Sequence, residues 1–226
     1  PRPFGADERT VQLDVHTLLF GAPPADGAAD ARTIVSSWDF GGQPEYAAGQ
    51  QQYIVADALY THLIPAHRAN DEDYEEVLGR WLDALQAKAP GAVVQIVLSH
   101  ADKLEPPPAS LEPADLAAAA APTLAWIRDK VREHAEHTAA VAEARNKPVR
   151  LLRVQPETIC VCAAAGGKAS LLALYEHIGR LLAADPPLLP SVGYRIPRSW
   201  LPALALVLAL RDGKDVLGAA REALDA

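Results

Sequence analysis

The sequence predicts an α/β fold in which helices flank a mostly parallel β-sheet. Residues 92–98 read Ala-Val-Val-Gln-Ile-Val-Leu, a nearly continuous apolar run that is typical of a parallel strand covered on both faces. Residues 71–88 begin with acidic side chains and continue with apolar residues at helical spacing, namely Val77, Leu78, Trp81, Leu82 and Leu85. Predicted strands and helices alternate along the chain, which favours parallel pairing through crossover connections.

The other predicted elements follow in chain order. Residues 11–20 and 33–38 alternate as strands do, and the Gly- and Pro-rich stretch 21–30 between them predicts an antiparallel hairpin. The remaining elements are a short helix within 43–52, a buried strand at 58–64, an Ala-rich helical segment at 111–145, a bent strand or strand pair around Pro156 at 149–161, and a helix at 170–184. A Pro-rich linker, 185–190, separates a first domain, 1–184, from a final segment, 191–226.

The charge, the cysteine content and the length of the apolar runs indicate which partners and which cellular compartment to expect. The net charge of -8 and the pI near 5.3 argue against a nucleic-acid partner, which clustered Lys and Arg would have to hold. Cys160 and Cys162 are two positions apart on a predicted strand, where they would form a poor disulfide. We therefore expect two buried thiols in a reducing, cytoplasmic compartment. The longest apolar run, 201–210, is about half of what a bilayer requires, so no transmembrane segment is expected.

The end of the second predicted strand carries the pattern on which the functional interpretation depends. Residues 38–43 read Trp-Asp-Phe-Gly-Gly-Gln. A strand holds Asp39 rigidly at its end, and the glycines after it let backbone N–H groups approach an anion closely. Phosphoryl-transfer switches use such an Asp-x-x-Gly-Gln pattern to sense a terminal phosphate through Mg²⁺ and to orient a water molecule. An ordinary strand-to-helix turn gives the same pattern.

Two further polar segments follow predicted strands at their carboxyl ends. Ser-His-Ala-Asp at 99–102 ends the buried strand, where the Asp102 carboxylate could accept two hydrogen bonds from guanine. Cys-Ala-Ala at 162–164 ends the next strand, where a backbone N–H could meet guanine O6. The separation of Asp39 from Asp102 matches the roughly sixty residues that two strands and two crossover helices need. We expect both carboxylates at neighbouring strand ends on one edge of a sheet.

Together these segments resemble the Roc GTPase domain of Roco proteins. Residues 38–43 look like that family's second switch, and 9–15 (Arg-Thr-Val-Gln-Leu-Asp-Val) are similar to its first switch. Residues 99–102 look like its Thr-His-Ala-Asp, which stands where other GTPases have Asn-Lys-x-Asp. After the linker, 193–200 (Gly-Tyr-Arg-Ile-Pro-Arg-Ser-Trp) resemble the opening of the COR domain that follows Roc.

The resemblance implies a small-GTPase-like fold that binds and hydrolyses GTP as a switch in a multidomain signalling protein. The implied ligands are GTP or GDP and Mg²⁺, with the metal on Thr10 and Asp39. Gly42 would sense the γ-phosphate, and Gln43 would orient the attacking water. The residues implied for the guanine base are Ser99, His100, Asp102, Ala163 and Ala164. The COR segment implies protein partners, including a second copy of the chain.

The sequence departs from the family at three points. No Gly-x-x-x-x-Gly-Lys-Ser/Thr phosphate loop occurs in it, and the nearest string, 166–170, lacks the spacing. We expect that loop, with the first strand and helix of the fold, N-terminal to Thr10, and we expect the 226 residues alone to bind nucleotide poorly. Cys162 stands where the family usually has Ser, and 111–145 looks like an inserted helical segment.

Other interpretations of the same residues stay open. Asp102 could cap the turn after its strand, Gln43 could be a solvated polar residue, and Thr10 could be an ordinary residue before a strand. His134 and His137 are expected on a solvated helix face rather than at a metal. An interaction scaffold that does not hydrolyse nucleotide is the alternative to a switch. A dinucleotide-binding oxidoreductase is disfavoured because no Gly-x-Gly-x-x-Gly follows a strand.

Overall fold

A computed structural model of the chain describes residues 13–21, 33–40 and 47–192. The strands are β1 (Leu13–Phe20), β2 (Thr33–Phe40), β3 (Leu59–Pro65), β4 (Val93–Ser99), β5 (Arg153–Val154) and β6 (Ile159–Cys160). The helices are α1 (Ala47–Gln50), α2 (Arg80–Lys88), α3 (Pro113–Ala119), α4 (Ala121–Ala144) and α5 (Lys168–Leu182). Short 3₁₀ turns occupy Gln51–Tyr53, Ala66–Arg68 and Ala101–Lys103, and a π-helical turn, Glu75–Gly79, leads into α2.

Four strands form a parallel sheet around β4. Strand β3 pairs with β4 over its whole length, whereas β5 pairs with the first part of β4 and β6 with the last part. The strand pair expected around Pro156 is therefore one edge of the sheet, interrupted at that proline. The predicted α/β class, a mostly parallel sheet flanked by helices, is confirmed.

Strand β4 is the most deeply buried element of the described chain. All six residues from Val93 to Leu98 are 0–1% exposed, as the continuous apolar run predicts for a strand with neighbours on both faces. One face of β4 contributes Leu98 to the main core, together with residues from β3, the π-helical turn, α2, α3 and α4. The fully buried members from those elements are Ile64, Leu78, Leu82, Leu116 and Ile127.

The helices differ in detail from the periodicity prediction. The helix expected at 71–88 begins with a π-helical turn, and His62 on β3 donates from Nε2 to the Val77 carbonyl within that turn, at 2.6 Å. The segment expected at 111–145 divides into α3 and α4 at Ala120, because Pro122 is tolerated only in the first turn of a new helix. His134 on α4 is largely covered and lies 3.0 Å from Asp83 on α2, so the solvated face expected for it is wrong.

The N-terminal hairpin is a separate two-stranded sheet. Strands β1 and β2 pair antiparallel, as predicted, with Asp39 opposite Asp14 in the register. The hairpin contacts α5, where the Phe20 ring stacks on Tyr175 at 4.5 Å and the Tyr175 hydroxyl donates to the Leu19 carbonyl at 2.5 Å. Among the described residues, no pairing joins β2 to β3 or β4. The expectation that Asp39 and Asp102 end strands of one sheet is therefore wrong.

A buried polar network joins α5 to β4. His177 on α5 donates from Nε2 to the Gln95 side-chain oxygen at 2.8 Å. The Gln95 amide nitrogen donates to the carbonyls of Glu157 and Ile96, at 2.7 and 2.8 Å. Because both donor positions of Gln95 are used, its oxygen must accept, and this fixes the proton of neutral His177 on Nε2. The network satisfies the one polar side chain of β4 that is fully buried.

The contacts within the chain separate a C-terminal unit, and the described helices are short or polar. Contacts divide the chain into two compact units, Pro1–Pro190 and Ser191–Ala226. Within 13–21, 33–40 and 47–192, no helix is long and apolar enough to cross a membrane. Residues 193–226 lie outside the described ranges, so the COR-like segment stays a prediction.

We predict that Leu98→Ala lowers the free energy of unfolding by about 2–5 kcal/mol, because it opens a cavity at a fully buried position of the core. Leu63→Ala on the neighbouring strand is the matched control, since Leu63 is 57% exposed and should change stability by less than about 0.5 kcal/mol. Chemical denaturation of both variants checks the prediction. Equal losses would contradict the burial assigned to β4.

We also predict that stability decreases as the pH falls below about 6.5. Burial lowers the pKa of both His62 and His177 below the ordinary value of 6.5. The Val77 carbonyl acts the other way on the pKa of His62, and for His177 Glu157 opposes the effect while Arg180 adds to it. The unfolded chain therefore binds these protons more readily than the folded chain. The free energy of unfolding consequently decreases as the pH is lowered.

Denaturation midpoints between pH 5 and pH 8, roughly the range in which histidines titrate, measure this dependence. His62→Gln and His177→Gln together keep side-chain donors and remove both titrating groups, so they should flatten the pH dependence. An unchanged slope in the double variant would show that other groups cause it.

Candidate functional site

The candidate site lies at the carboxyl-end edge of the parallel sheet. Strands β3 and β4 end at the paired residues Pro65 and Ser99, and β6 ends at Cys160, which is paired with Leu98. The segments that follow these three strands therefore start side by side. This is the edge at which open α/β sheets bind their ligands.

The loop after β4 has a constrained backbone. His100 adopts the left-handed conformation, with φ 53° and ψ 38°, which costs a non-glycine residue roughly 1 kcal/mol or more. The Ser99 hydroxyl donates to the Ile64 carbonyl at 3.3 Å, and the Ala101 N–H donates to the Val161 carbonyl at 3.2 Å. The loop is thus tied to the ends of both neighbouring strands, and the 3₁₀ turn places Asp102 at the edge.

Asp102 meets the loop after β6, as the sequence predicts for a shared site. The Cys162 thiol donates to Asp102 Oδ1 at 3.2 Å. The other carboxylate oxygen, Oδ2, accepts no hydrogen bond from any residue in the described ranges. Asp102 is half-buried, so its carboxylate is held on one side by Cys162 and stays partly accessible to solvent.

The loop after β6 is built around Cys162, which is fully buried. Its backbone N–H donates to the Ser170 hydroxyl at 3.0 Å, and its sulfur accepts the Ala164 N–H at 3.3 Å. Burial and the hydrogen bond to Asp102 raise the pKa of the Cys162 thiol, while the Ala164 N–H acts in the opposite direction. The thiol therefore stays protonated and able to donate near neutral pH. Ala163 and Ala164 are exposed beside it.

A glycine makes this loop possible. A Cβ on Gly167 would lie 2.1 Å from the Cys162 carbonyl oxygen, which is a backbone atom and cannot swing aside. The Ser170 hydroxyl donates to the Gly167 carbonyl at 2.7 Å, so Ser170 holds both ends of the loop. The sequence motif at 162–164 does not predict the contact between Gly167 and Cys162, because helix or strand periodicity does not place these two residues together.

His67 is a residue of this edge that the sequence analysis missed. It lies in the 3₁₀ turn after β3, and its ring meets the His100 ring edge to face, with centroids 5.9 Å apart. The sequence could have indicated His67 through the predicted parallel pairing of the strands at 58–64 and 92–98. In that pairing Pro65 lies opposite Ser99, so the residues just beyond them are neighbours. Arg68 beside it is held by Asp73 and Glu76, at 2.8 and 2.7 Å, so its charge is already paired.

The residues predicted for the phosphate side are only partly described. Asp39 is exposed at the carboxyl end of β2, in the hairpin and not in the parallel sheet. Thr10, Gly42 and Gln43 lie outside the described residues. Within those residues, no group of three or more His, Cys, Asp and Glu side chains could hold a metal ion. The described chain therefore offers only Asp39 of the two predicted Mg²⁺ ligands.

Comparisons with known proteins do not name a family for this chain. No protein-family model matches it, and no curated protein matches it. The functional interpretation therefore depends on the residues of the site.

We predict that Gly167→Ala lowers the free energy of unfolding by roughly 1–3 kcal/mol, because the new methyl group forces the Cys162 turn to move. Gly49→Ala is the control, since a Cβ there meets nothing within 4 Å. Thermal unfolding of both variants measures the difference. If Gly167→Ala were as stable as the unaltered chain, the close approach of Gly167 to Cys162 would be contradicted.

Proposed function

We propose that this chain is a guanine-nucleotide-binding domain of the Roc type, which acts as a GTP-dependent switch. The observation that carries the proposal is the placement of Asp102. Its carboxylate lies at the carboxyl-end edge of a parallel sheet, with Oδ1 oriented by Cys162 and Oδ2 without a partner in the described chain. The exposed loop of Ala163 and Ala164 is its neighbour, because Cys162 Sγ contacts both Asp102 and Ala164.

Guanine chemistry fits these groups. The base presents two donors on one edge, N1–H and the exocyclic amine, and an acceptor, O6, beside them. A carboxylate is an acceptor for both donors, and it does not offer the hydrogen bond that the corresponding edge of adenine would accept. A backbone N–H from the 163–164 loop would serve O6. A site built to hydrogen-bond a polar edge discriminates strongly against a base that lacks it.

The phosphate side of the proposal rests on the sequence resemblance. GTP hydrolysis by such a domain uses Mg²⁺ to neutralise charge that develops on the phosphates. Thr10 and Asp39 would hold that ion, Gly42 would lie against the γ-phosphate, and Gln43 would orient the attacking water. Loss of the γ-phosphate would release the two switch segments and pass the change to the COR-like segment.

A second candidate function has an observation of its own. One face of the hairpin presents Val15, Leu19, Ile34 and Trp38, which are 37–56% exposed. An apolar face of this kind favours an interaction scaffold, in which the chain associates with another protein or a second copy and does not turn over nucleotide. The two functions separate by measurement, since the scaffold requires self-association or partner binding without guanine selectivity.

We predict that Asp102→Ala weakens binding of a fluorescent mant-GDP probe to the full-length protein at least tenfold, roughly the value of one lost charged hydrogen bond. Glu136→Gln, on the exposed face of α4, is the control and should bind as the unaltered protein does. Fluorescence titration measures both affinities.

Asp102→Asn sharpens this test. Asparagine accepts one hydrogen bond and donates another, which fits xanthine, where a carbonyl replaces the amine of guanine. The preference should therefore shift from guanine towards xanthine nucleotides. Equal binding of mant-GDP by the unaltered protein and Asp102→Ala would remove guanine recognition and favour the scaffold.

A further inference from the structure

We propose that Tyr74 is a phosphorylation site for a tyrosine-directed protein kinase, and that its phosphate releases the π-helical turn from α4. The inference goes beyond the proposed function and does not depend on nucleotide binding by this chain. It rests on the acidic sequence around Tyr74, on a hydroxyl without a partner in the described chain, and on the contacts of the tyrosine ring.

Tyr74 stands in a strongly acidic stretch. Of the three residues on either side of it, five carry carboxylates, namely Asp71, Glu72, Asp73, Glu75 and Glu76. Kinases choose substrates partly by charge pattern, and a basic groove attracts an acidic segment. Tyr53 and Tyr175 are 45% and 43% exposed, but the same windows around them contain no carboxylate and one carboxylate. The charge pattern therefore favours Tyr74 over tyrosines that are more exposed.

Two of the five carboxylates are left for a partner. The other three are already paired inside the protein, two with Arg68 and one with Lys130, at 2.7 to 3.0 Å. Glu72 and Glu75 are exposed and make no hydrogen bond or ion pair with any residue in the described ranges. They flank Tyr74 in the sequence, where the basic groove of a kinase would meet them.

The Tyr74 hydroxyl is available for the reaction. Tyr74 is half-buried, and its hydroxyl takes part in no hydrogen bond within 13–21, 33–40 and 47–192. The turn that follows it is π-helical, and such turns are rare and frequently lie at functional sites. In the transfer, Tyr74 Oη bonds to the γ-phosphorus of a nucleoside triphosphate, whose bond to the β,γ-bridging oxygen breaks. The phenolic proton passes to a base of the kinase, and the nucleoside diphosphate leaves.

The ring of Tyr74 holds the π-helical turn against α4. The Trp126 ring meets it edge to face, with centroids 6.4 Å apart, and Lys130 Nζ lies 5.5 Å from its centroid. On the other side, a Cβ on Gly79 would lie 2.9 Å from Tyr74 Cε1. The ring is therefore packed between α4 and the last residue of the turn, and a displacement of the ring would move both contacts.

A phosphate on Tyr74 would meet repulsive charges. Burial raises the pKa of the Tyr74 hydroxyl; three carboxylates, those of Glu75, Asp83 and Glu133, add to this effect, and Lys130 opposes it. The surroundings thus already disfavour one negative charge on this oxygen. A phosphate carries about −1.5 to −2 at pH 7, so the repulsion should displace the ring and free the turn from α4.

The first test incubates the full-length protein with MgATP and a purified kinase that prefers acidic tyrosine substrates, and mass spectrometry locates the phosphate. We expect Tyr74 to be modified about tenfold faster than Tyr53 or Tyr175. Tyr74→Phe should lose this phosphate, whereas Tyr53→Phe should keep it. Faster modification of Tyr53 or Tyr175 than of Tyr74 would overturn the site.

Two double variants test the role of charge. Glu72→Gln with Glu75→Gln should slow the reaction at Tyr74 roughly fivefold, since two exposed charge contacts with the kinase are lost. Glu136→Gln with Glu143→Gln removes the same charge from α4 and is the matched control, which should not slow it. Equal rates in the two double variants would contradict recognition by the acidic flanks.

Hydrogen exchange measures the consequence of the modification. Phosphorylation should make the amides of 75–79 exchange about tenfold faster and leave those of β4 unchanged. Unchanged exchange of 75–79 in the fully phosphorylated protein would overturn the release from α4.

Discussion

The structure depends on the parallel pairing of β4 with three other strands. Every interstrand ladder of the parallel sheet includes β4, so its six buried residues must be covered from both faces at once. Apolar side chains satisfy most of that requirement, and Gln95 satisfies the rest through His177 and Glu157. The same pairing brings the carboxyl ends of β3, β4 and β6 to one edge, where the polar loops begin.

The geometry of the edge follows from those strand ends and from backbone hydrogen bonds between the loops. Ala101 is bonded to Val161 and Ser99 to Ile64, so the loop after β4 cannot move independently of its neighbours. These bonds hold His100 in a conformation that it would rarely adopt alone. Asp102 then faces Cys162 because both residues follow buried, paired strands. Its position is a consequence of the sheet and of the left-handed turn at His100.

The sequence predicted the parts of this arrangement that depend on local patterns. The apolar run at 92–98 identified β4, the alternation at 11–20 and 33–38 identified the hairpin, and the position of Asp102 after a buried strand placed it at the edge. Period-two alternation fixes which side chains share a face, but it does not name the strand's neighbour, so the separation of β2 from the parallel sheet was not predicted. The contacts of Cys162 with Asp102 and Gly167 depend on tertiary packing, which no local pattern encodes.

Helix α5 connects the candidate base site to the hairpin that bears Asp39. Near its N-terminus Ser170 holds the Cys162 turn, one turn further along Tyr175 contacts Phe20 and Leu19 of the hairpin, and then His177 is bonded to β4. A helix is stiff over so short a distance, so a displacement of Ser170 would be felt at Tyr175. These α5 contacts reach the hairpin at the end away from Asp39, because Phe20 pairs with Thr33, whereas Trp38 and Phe40 on either side of Asp39 contact the Tyr53 ring. The bond between His177 and Gln95 fixes α5 against β4, so the sheet, the Cys162 turn and the Phe20 end of the hairpin are held together through one helix.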